Sequence, residues 1–491
     1  MDDVALSGQI AGQEIVSGEA QVAAAQLPLA TRILYGVGEA GNAIKSFAFG
    51  LFLLFYYTTV RGVPGTLVGV ATAVGLVWDA AIDPLIGHIS DRLSSRWGRR
   101  HPLMALGAIG MGVTFYAIFR PPAGLGVGAL FAWLLITSIL LRTFNSLFTV
   151  PYHALGAELT PDYDERTAVT GTRAAFALGG TLIAAAASFA VFFPDHASDV
   201  DPRMMPQGYA AMGLAFGSAM TLLALLTTWG TYSYSERFQA RRIEHGQTPL
   251  GLWAGLRVCL RNGPFVALTL SASLFFLASV INATVAIHYL TYYAGITESR
   301  ALSLFQLAFY AGALPGVVAW LWLSRRAEKH QIYVLATLIV AGLMVAAYAL
   351  VGRGRVLGEG NVLALVGGNA LAGFFASALW VLPPSMVADV TDLDALRTGR
   401  RREGVFFGVY SFSQQVAASL AILVSGVLVD HFAGLVPGQA EQSWATIERL
   451  ALTFGPIPAV IVVAATGLIL AYRLDRRRWR AIRAALDEAR S

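Results

Sequence analysis

Long apolar runs recur along almost the whole chain, and they limit what it can fold into more than any other feature. Their centres include FGLFLLFYYTTV, LIAAAASFAVFF, AMTLLALLTTW and VIVVAATGLILAY. Each run extends over roughly 18 to 25 residues, enough for one helix to cross a bilayer. Hydrophobic residues make up 56% of the chain and charged residues 13%, a balance that excludes a soluble globular protein. With about twelve such runs, the sequence predicts an all-α integral membrane protein with twelve transmembrane helices.

The runs divide into two groups of six, separated by a polar segment. We therefore predict a disordered cytoplasmic tail at 1–31, a six-helix bundle at 32–231, a cytoplasmic linker at 232–263, a second six-helix bundle at 264–472 and a basic cytoplasmic tail at 473–491. AELT, at Ala157–Thr160, and ADVT, at Ala388–Thr391, stand at the inner ends of the fourth and tenth runs. Such a parallel repeat is typical of the major facilitator fold, in which two bundles rock about a site near the middle of the membrane.

The distribution of basic residues predicts the orientation of the chain. If the first run points outward, the loops on the inner side hold most of the Lys and Arg residues, which places both termini in the cytoplasm. The first 31 residues contain no Lys or Arg and lack the features of a cleavable signal peptide. We expect a multi-pass protein of the inner (plasma) membrane that acts as a monomer. Its partners are then the lipid bilayer and a small-molecule substrate, not nucleic acid, since the net charge of +5 is not gathered on one surface.

The stretch WDAAIDPLIGHISDR places two carboxylates inside an apolar run. Asp79 and Asp83 are one helical turn apart. Counted from the inner end of each run, Asp79 lies at the depth of Lys45 in the first run and Arg142 in the fourth, with Glu39 nearer the inner side. Because each charge alone is costly in hydrocarbon, we expect a paired cluster. The cluster either forms a coupling or substrate site, which we favour, or only fixes the register of the helices.

Two carboxylates one turn apart resist double ionisation, so one of them can hold a proton near neutral pH. With further oxygen ligands the same pair can hold Na+. The two cations at the same depth compete with a metal ion, which favours H+ as the coupling ion. Beyond the coupling ion, we expect no cofactor.

Neutral polar groups mark a candidate substrate site. On the fourth run, Asn145 and Thr149 follow Arg142 at helical spacing, so one face of this helix is polar. In the second bundle, Trp380 precedes the LPP segment, and the deep polar residues are mostly amides: Asn282, Gln306, Asn369, Gln414 and Gln415. Amides and an aromatic face suit a ligand rich in hydroxyl groups. The alternative is that each amide only joins neighbouring helices.

The inner loops repeat an arrangement of acids at the end of a run followed by bases. We predict a cytoplasmic gate in which these groups pair and hold the inner side shut in the outward-open state; the alternative is a simple topology signal. The gate residues are Asp91, Arg92, Arg99, Arg100, Glu158, Arg166, Asp389, Arg400 and Arg401. The tail LDRRRWRAIRAALDEARS predicts an amphipathic helix on the inner leaflet, with Trp479 and Ile482 in lipid, or a solvated topology anchor.

The chain resembles the glycoside, pentoside and hexuronide cation symporters, the melibiose-permease-like branch of the major facilitator superfamily. The resemblance rests on WDAAIDPLIGHISDRLSSRWGRRHP, VPYHALGAELTPDYDERT with Arg173, and WVLPPSMVADVTDLDALRTGRRREG. It implies twelve helices and cation-coupled uptake of small glycosides or related molecules. It also implies that Asp79 and Asp83 match the cation-site carboxylates, and that Arg173 and Trp380 match residues near the sugar.

Three departures from the family pattern bear on the substrate. Asn42-Ala43 stands where the sugar permeases have an aspartate on the first helix, and Thr149 replaces another aspartate on the fourth. The lysine expected on the eleventh helix is missing around Gln415. The fold therefore transfers better than the substrate, and Asn42 joins the candidates for substrate binding.

These features predict a secondary active transporter that couples a cation to a small solute, a sugar or glycoside, by alternating access. The alternative is a lipid or lysolipid translocator on the same fold, since related branches resemble this chain in the same loops. The sequence contains no HExxH, no GxSxG and no complete phosphate-binding loop, so we do not expect an enzyme.

Overall fold

The structure is a computed structural model, and it describes residues 27–93, 95–160, 163–194, 201–239, 252–399, 402–472 and 474–488. Twelve helical segments in these ranges are long and apolar enough to cross a membrane. The prediction of an all-α protein with twelve transmembrane helices is thereby confirmed. The predicted N-terminal tail falls mostly outside the described residues.

The first bundle contains six helices, each long enough to span the membrane. They are α1 (Leu29–Phe55), α2 (Gly65–Arg92), α3 (His101–Phe119), α4 (Val127–Glu158), α5 (Tyr163–Phe192) and α6 (Pro206–Gln239). A π-helical turn, Tyr56–Val60, extends α1 at its outer end. Prolines stand inside α2 and α4, at Pro84 and Pro151, where each removes one backbone hydrogen bond from its helix. The bundle begins slightly before the predicted boundary at residue 32 and continues past 231.

A short helix, α7 (Leu252–Leu260), lies in the linker and leads into the second bundle. The following elements are α8 (Gly263–His288), α9 (Ser299–Ser324), α10 (Lys329–Leu350), α11 (Val362–Ala376), α12 (Ala378–Thr398), α13 (Glu403–Val427), α14 (Trp444–Phe454), α15 (Pro456–Ile469) and α16 (Arg476–Glu488). The tenth span is divided into α11 and α12, and the twelfth into α14 and α15. The division of the twelfth span falls at Gly455, just before Pro456, which begins α15 without a backbone N–H donor.

The outer ends of the two bundles are bonded to each other. The carboxylate of Asp430, in the π turn after α13, accepts hydrogen bonds from the backbone N–H groups of Gly65 and Thr66 at 2.8 and 2.7 Å. Arg203, fully buried between α5 and α6, donates to the Thr291 hydroxyl at 2.7 Å and to the Ile296 carbonyl at 3.3 Å. These bonds close the outer side of the protein.

Every ion pair found at the inner ends of the described helices joins two residues of the same bundle, for example Arg100 with Glu158 and Lys329 with Asp389. These ion pairs hold neighbouring helices together within each bundle.

Candidate functional site

The carboxylate pair predicted from the sequence lies on α2. Asp79 forms an ion pair with Arg142 of α4, and both side chains are mostly buried. A Cβ atom at Gly75 would lie only 2.4 Å from Nε of Arg142, so glycine leaves the room that the guanidinium needs to reach α2. Oδ1 of Asp79 and Oδ1 of Asp83 are buried without a hydrogen-bond donor among the residues that the structure describes. Buried polar atoms normally have a partner, so both oxygens are available to a proton or an ion.

The structure separates the predicted charge cluster into distinct pairs. Nζ of Lys45 donates to the Asn145 side-chain oxygen at 2.5 Å, and no ion pair of Lys45 occurs within the described part of the chain. Lys45 therefore belongs to the cluster through the Asn145 amide in this conformation. The guanidinium of Arg142 takes the place beside Asp79, because its fork of donors reaches the carboxylate from α4.

A second pair links α1 to α5, nearer the inner side. Arg173 donates to Oε2 of Glu39 from Nε at 3.0 Å and from Nη2 at 2.7 Å. The same carboxylate accepts a bond from the Asn42 amide at 3.1 Å, and His153 lies 2.9 Å from Nη2 of Arg173. Arg173 also stands over the ring of Tyr152. Asn42 and Arg173, the arginine that the resemblance matches to a residue near the sugar, thus belong to one network. This network holds α1, α4 and α5 together.

The other substrate candidates are dispersed. The Thr149 hydroxyl donates to the Asn145 carbonyl of its own helix at 2.9 Å. Trp380 is 42% exposed and packs against Phe309. Gln414 reaches Ser273 of α8 at 3.5 Å, whereas Gln415 is exposed.

A cavity of about 540 Å³ lies between α1 and α5 of the first bundle and α8–α11 and α14 of the second. Most of its lining is apolar, with a few neutral polar groups. The polar ones are Ser46, Thr181, Ser279, Asn282, Thr284, Gln306, Tyr310 and Asn369. The amides of Asn282 and Asn369 donate to backbone carbonyls of Phe454 and Phe305, both at 2.7 Å, as expected of groups that join helices.

Three of the amides noted in the sequence, Asn282, Gln306 and Asn369, line this cavity, but the residues named there as substrate ligands do not. Asn42, Asn145, Thr149, Arg173, Trp380, Gln414 and Gln415 are all absent from its lining. Ser46, Phe47 and Tyr310 line it instead, and no sequence signal marked them, because a serine and two aromatics in apolar runs look like packing residues. Phe47 of α1 and Tyr310 of α9 face each other across the two bundles with ring centroids 6.5 Å apart.

The predicted gate residues form two separate networks at the inner side. In the first bundle, Glu158 pairs with Arg99 at 2.6 Å and Arg100 at 2.5 Å, and Arg100 also lies 3.4 Å from Asp91. Burial raises the pKa of Glu158, but the hydrogen bond and charge of Arg100, with those of Arg99, outweigh it and lower that pKa. Arg92 is exposed.

In the second bundle, Asp389 pairs with Lys329 at 2.6 Å, a partner that the sequence did not indicate because it lies 60 residues away on α10. The expected partners of Asp389 were arginines, and Arg400 and Arg401 lie outside the described residues, as does the side chain of Arg166. In this structure Glu158 and Asp389 each pair with a base of their own bundle. A cytoplasmic gate that joins the two bundles therefore stays a prediction.

Two side chains of the basic tail that were expected to lie in lipid contact protein instead. Trp479 of α16 donates to Asp392 of α12 at 3.2 Å, and Ile482 is buried against the second bundle. The expectation that these two side chains insert into the inner leaflet is therefore wrong: helix α16 packs its apolar face on protein.

Comparison with known families settles the class of protein. The model of a family described as MFS/sugar transport protein matches residues 34–476. The chain belongs to this family. It is a transporter of the major facilitator superfamily and not an enzyme, and it is a multi-pass membrane protein.

The chain is similar to symporters that are named for different substrates. The chain is 26% identical to an uncharacterized symporter of Synechocystis sp., over 92% of this chain and 94% of that protein. It is 24% identical to a sodium-dependent lysophosphatidylcholine symporter of Xenopus tropicalis, over 94% and 90%, and 24% identical to a putative glycoside/cation symporter of Escherichia coli, over 95% and 96%. Among solved structures, a bacterial homologue of the human lysosomal transporter Spinster matches with a TM-score of 0.65, at 15% identity over 91% of this chain and 96% of that one. This last match supports the fold.

Proposed function

We propose that the chain is a proton-coupled symporter that moves a small solute, a sugar or glycoside, by alternating access. The observation that carries the proposal is the carboxylate pair on α2, in which Asp79 is held by Arg142 while Asp83 keeps a buried oxygen without a donor among the described residues. An ionisable side chain at membrane depth costs free energy, and transporters retain it where it carries an ion or proton.

The arrangement favours a proton over Na+. A bound Na+ needs several oxygen ligands, and Arg142 occupies one oxygen of Asp79 with a positive charge of its own. Two charges of one sign at hydrogen-bond distances repel each other strongly where water is scarce. Protonation of Asp83 neutralises its carboxylate and needs no further ligands. In this proposal Asp83 carries the coupling proton, and Asp79 with Arg142 fixes its surroundings.

The substrate proposal rests on the neutral polar groups of the cavity. Ser46 of α1 and Gln306 and Tyr310 of α9 line it, and such groups can donate to and accept from sugar hydroxyls. Phe47, Phe309 and Tyr310 offer ring faces for the C–H surface of a sugar. Gln306 is the amide to test first, because its side chain is not committed to a backbone carbonyl in the described structure.

The apolar share of the same lining favours a second candidate, a lysolipid. Leu343, Met344, Leu350 and Leu365 line the part of the cavity inside the second bundle, where an acyl chain would replace water at apolar walls. The relatives support both classes, since one is named for glycosides and another for lysophosphatidylcholine.

We also propose that both termini lie in the cytoplasm, that the membrane is the plasma membrane and that the monomer is the transporting unit. The bias of Lys and Arg toward the loops on one side supports this orientation. The relatives from bacteria support the location.

The proposal is tested in vesicles that contain the purified protein and a pH-sensitive dye, in buffer free of sodium. Glycosides, pentoses and uronic acids are added singly, then lysophosphatidylcholine, and the series is repeated with sodium. Proton movement with one sugar supports the proposal. Movement only with lysophosphatidylcholine supports the second candidate, and movement only with sodium overturns the choice of ion.

The role of Asp83 is tested with Asp83→Asn and with Glu441→Gln as a control, an equivalent change in the exposed outer loop. We expect Asp83→Asn to abolish accumulation of substrate against its gradient and to keep exchange of labelled for unlabelled substrate, since exchange needs no proton transfer. Uphill uptake by Asp83→Asn at the rate of Glu441→Gln would rule out this role.

A further inference from the structure

Helix α16 covers the inner ends of α9, α10 and α12. The Arg476 guanidinium donates to the carbonyl oxygens of Ser324 at 2.8 Å, Arg325 at 2.9 Å and Ala327 at 3.2 Å. These carbonyls lie at and just beyond the C-terminal end of α9, where backbone carbonyls have no N–H partner inside the helix. The backbone N–H of Arg476 donates to Glu328 at 3.0 Å. The tail is therefore a docked structural element with a fixed position relative to these helices.

A second cavity, of about 380 Å³, lies between α16 and these helix ends. Its charged lining consists of four cations and three carboxylates. The cations are Arg325, Lys329, Arg476 and Arg480, and the carboxylates are Glu328, Asp389 and Asp475. The balance of charges leaves one positive charge in excess.

Most of these charges are committed to neighbours. Lys329 pairs with Asp389 at 2.6 Å, and Arg476 is used on the carbonyls of α9. Asp475 accepts a bond from the backbone N–H of Arg478 at 2.8 Å, which caps the start of α16. The guanidinium groups of Arg325 and Arg480 have neither an ion-pair nor a hydrogen-bond partner among the residues that the structure describes. Two such groups on the wall of one cavity can bind a phosphate through paired N–H donors.

The position of the cavity points to a lipid as the source of the phosphate. Trp322, in the last turn of α9, is 54% exposed, and the guanidinium of Arg326 stacks 4.0 Å from its ring centroid. Leu321 beside it is also exposed. Tryptophan and arginine at the end of an apolar span are typical of the level of the lipid headgroups.

We propose that the cavity beneath α16 binds the phosphodiester of an anionic phospholipid. Arg325 and Arg480 donate to the phosphate, and the acyl chains lie along the lipid-facing side of α9. A phosphodiester carries a single negative charge, which matches the excess of one positive charge in the cavity. Basic pockets between helices on the cytoplasmic side are known to bind such headgroups. This site is separate from the transport cavity and does not depend on the proposed substrate.

The test measures bound lipid on the purified full-length protein by native mass spectrometry, together with its thermal unfolding in detergent. The probes are phosphatidylglycerol, phosphatidylcholine with the same acyl chains, and inorganic phosphate. The variant is Arg325→Gln with Arg480→Gln. The control, Arg261→Gln with Arg477→Gln, removes the same charge from exposed positions near the inner ends that do not line the cavity.

We expect one phosphatidylglycerol to bind more tightly than phosphatidylcholine and to raise the unfolding temperature. In the cavity variant this lipid should bind about tenfold more weakly, the loss expected from removing charged hydrogen bonds, and the control should resemble the natural protein. A variant with Arg325→Lys and Arg480→Lys keeps the charge, and its affinity for phosphatidylglycerol should lie between those of the cavity variant and the control. This lysine variant replaces the glutamine variant in the test if the latter does not fold. Equal losses in variant and control would show diffuse attraction, and equal binding of phosphatidylcholine, or binding of phosphate alone, would also overturn the proposal.

Discussion

At the scale of single residues, the pair formed by Asp79 and Arg142 decides how the α2 carboxylates behave. The guanidinium neutralises Asp79 from a different helix, so the second carboxylate of the pair, Asp83, carries the remaining charge of this site. Breaking a mostly buried ion pair by removing one partner leaves the other charge uncompensated, which costs about 3 to 5 kcal/mol in buried sites. Arg142 is therefore expected to contribute to both stability and ion choice.

We predict that Arg142→Gln lowers the thermal unfolding temperature and that adding Asp79→Asn restores much of the loss, because the double variant has no unpaired charge. The single variant should also respond to Na+, which can then occupy the position of the guanidinium beside two carboxylates. Unfolding in detergent, with and without NaCl at constant ionic strength, measures both effects. A double variant that is less stable than Arg142→Gln would contradict the pairing.

Glu158 gives a pH dependence whose sign follows from its partners. Because Arg100 and Arg99 lower its pKa in the folded protein, Glu158 stabilises the fold at every pH above its ordinary value of 4.5, and this stabilisation is lost as the pH falls from there through the lowered pKa. Glu158→Gln should therefore unfold at a lower temperature than the natural protein at pH 7, with a smaller difference at acid pH. Unfolding temperatures measured from about pH 3 to about pH 7, a range that includes the ordinary pKa of carboxylates, test this prediction. A constant difference at all pH values would contradict it.

At the scale of helices, close approach of backbones explains part of the high glycine content. A Cβ at Gly312 of α9 would lie 1.9 Å from the Ala370 carbonyl oxygen of α11, a contact that only separation of the helices can relieve. The bundle packs small residues at such crossings because there is no hydrophobic driving force between helices in lipid.

We predict that Gly312→Ala destabilises the protein by about 1 to 3 kcal/mol, the usual cost of overpacking. Gly342→Ala on α10 is the matched control, since a Cβ there meets no atom within 4 Å, and alanine should be neutral or stabilising by up to about 1 kcal/mol. Thermal unfolding of both variants in the same detergent makes the comparison. Equal effects at the two positions would show that α9 and α11 are not in close contact.

At the scale of the whole molecule, Asp430 joins the two bundles at the outer side. It uses both carboxylate oxygens to satisfy the first backbone donors of α2, a position where the helix dipole also favours a negative charge. The bond must break when the outer side opens, because the two partners belong to different bundles.

We predict that Asp430→Ala shifts the protein toward outward-open forms. A cysteine at Ser279 in the transport cavity reports this change, and it should react faster with a membrane-impermeant maleimide from the outside in the Asp430→Ala background. The native Cys259 is buried at the inner end of the second bundle and gives little background. Glu441→Gln is the control on the same side, and unchanged labelling in Asp430→Ala would show that the bond does not hold the outer side closed.

The sequence by itself determined the membrane class, the twelve spans, the two bundles and the family. Apolar runs, their length and the inner-loop motifs are local properties, and the bilayer allows few other folds for them. It also indicated Asp79 and Asp83, since charges inside apolar runs are visible without knowing any contact.

Only the tertiary structure decided which charge meets which. The depth of a residue along its helix can be counted from the sequence, but the direction of its side chain around the helix axis cannot, so Lys45 and Arg142 looked equivalent until the packing placed Arg142 on Asp79 and Lys45 on Asn145. The cavity likewise depends on which faces of α1 and α8–α11 meet. Ser46 and Tyr310 line it because of the tertiary arrangement of those faces, and residue type alone gave no signal for them.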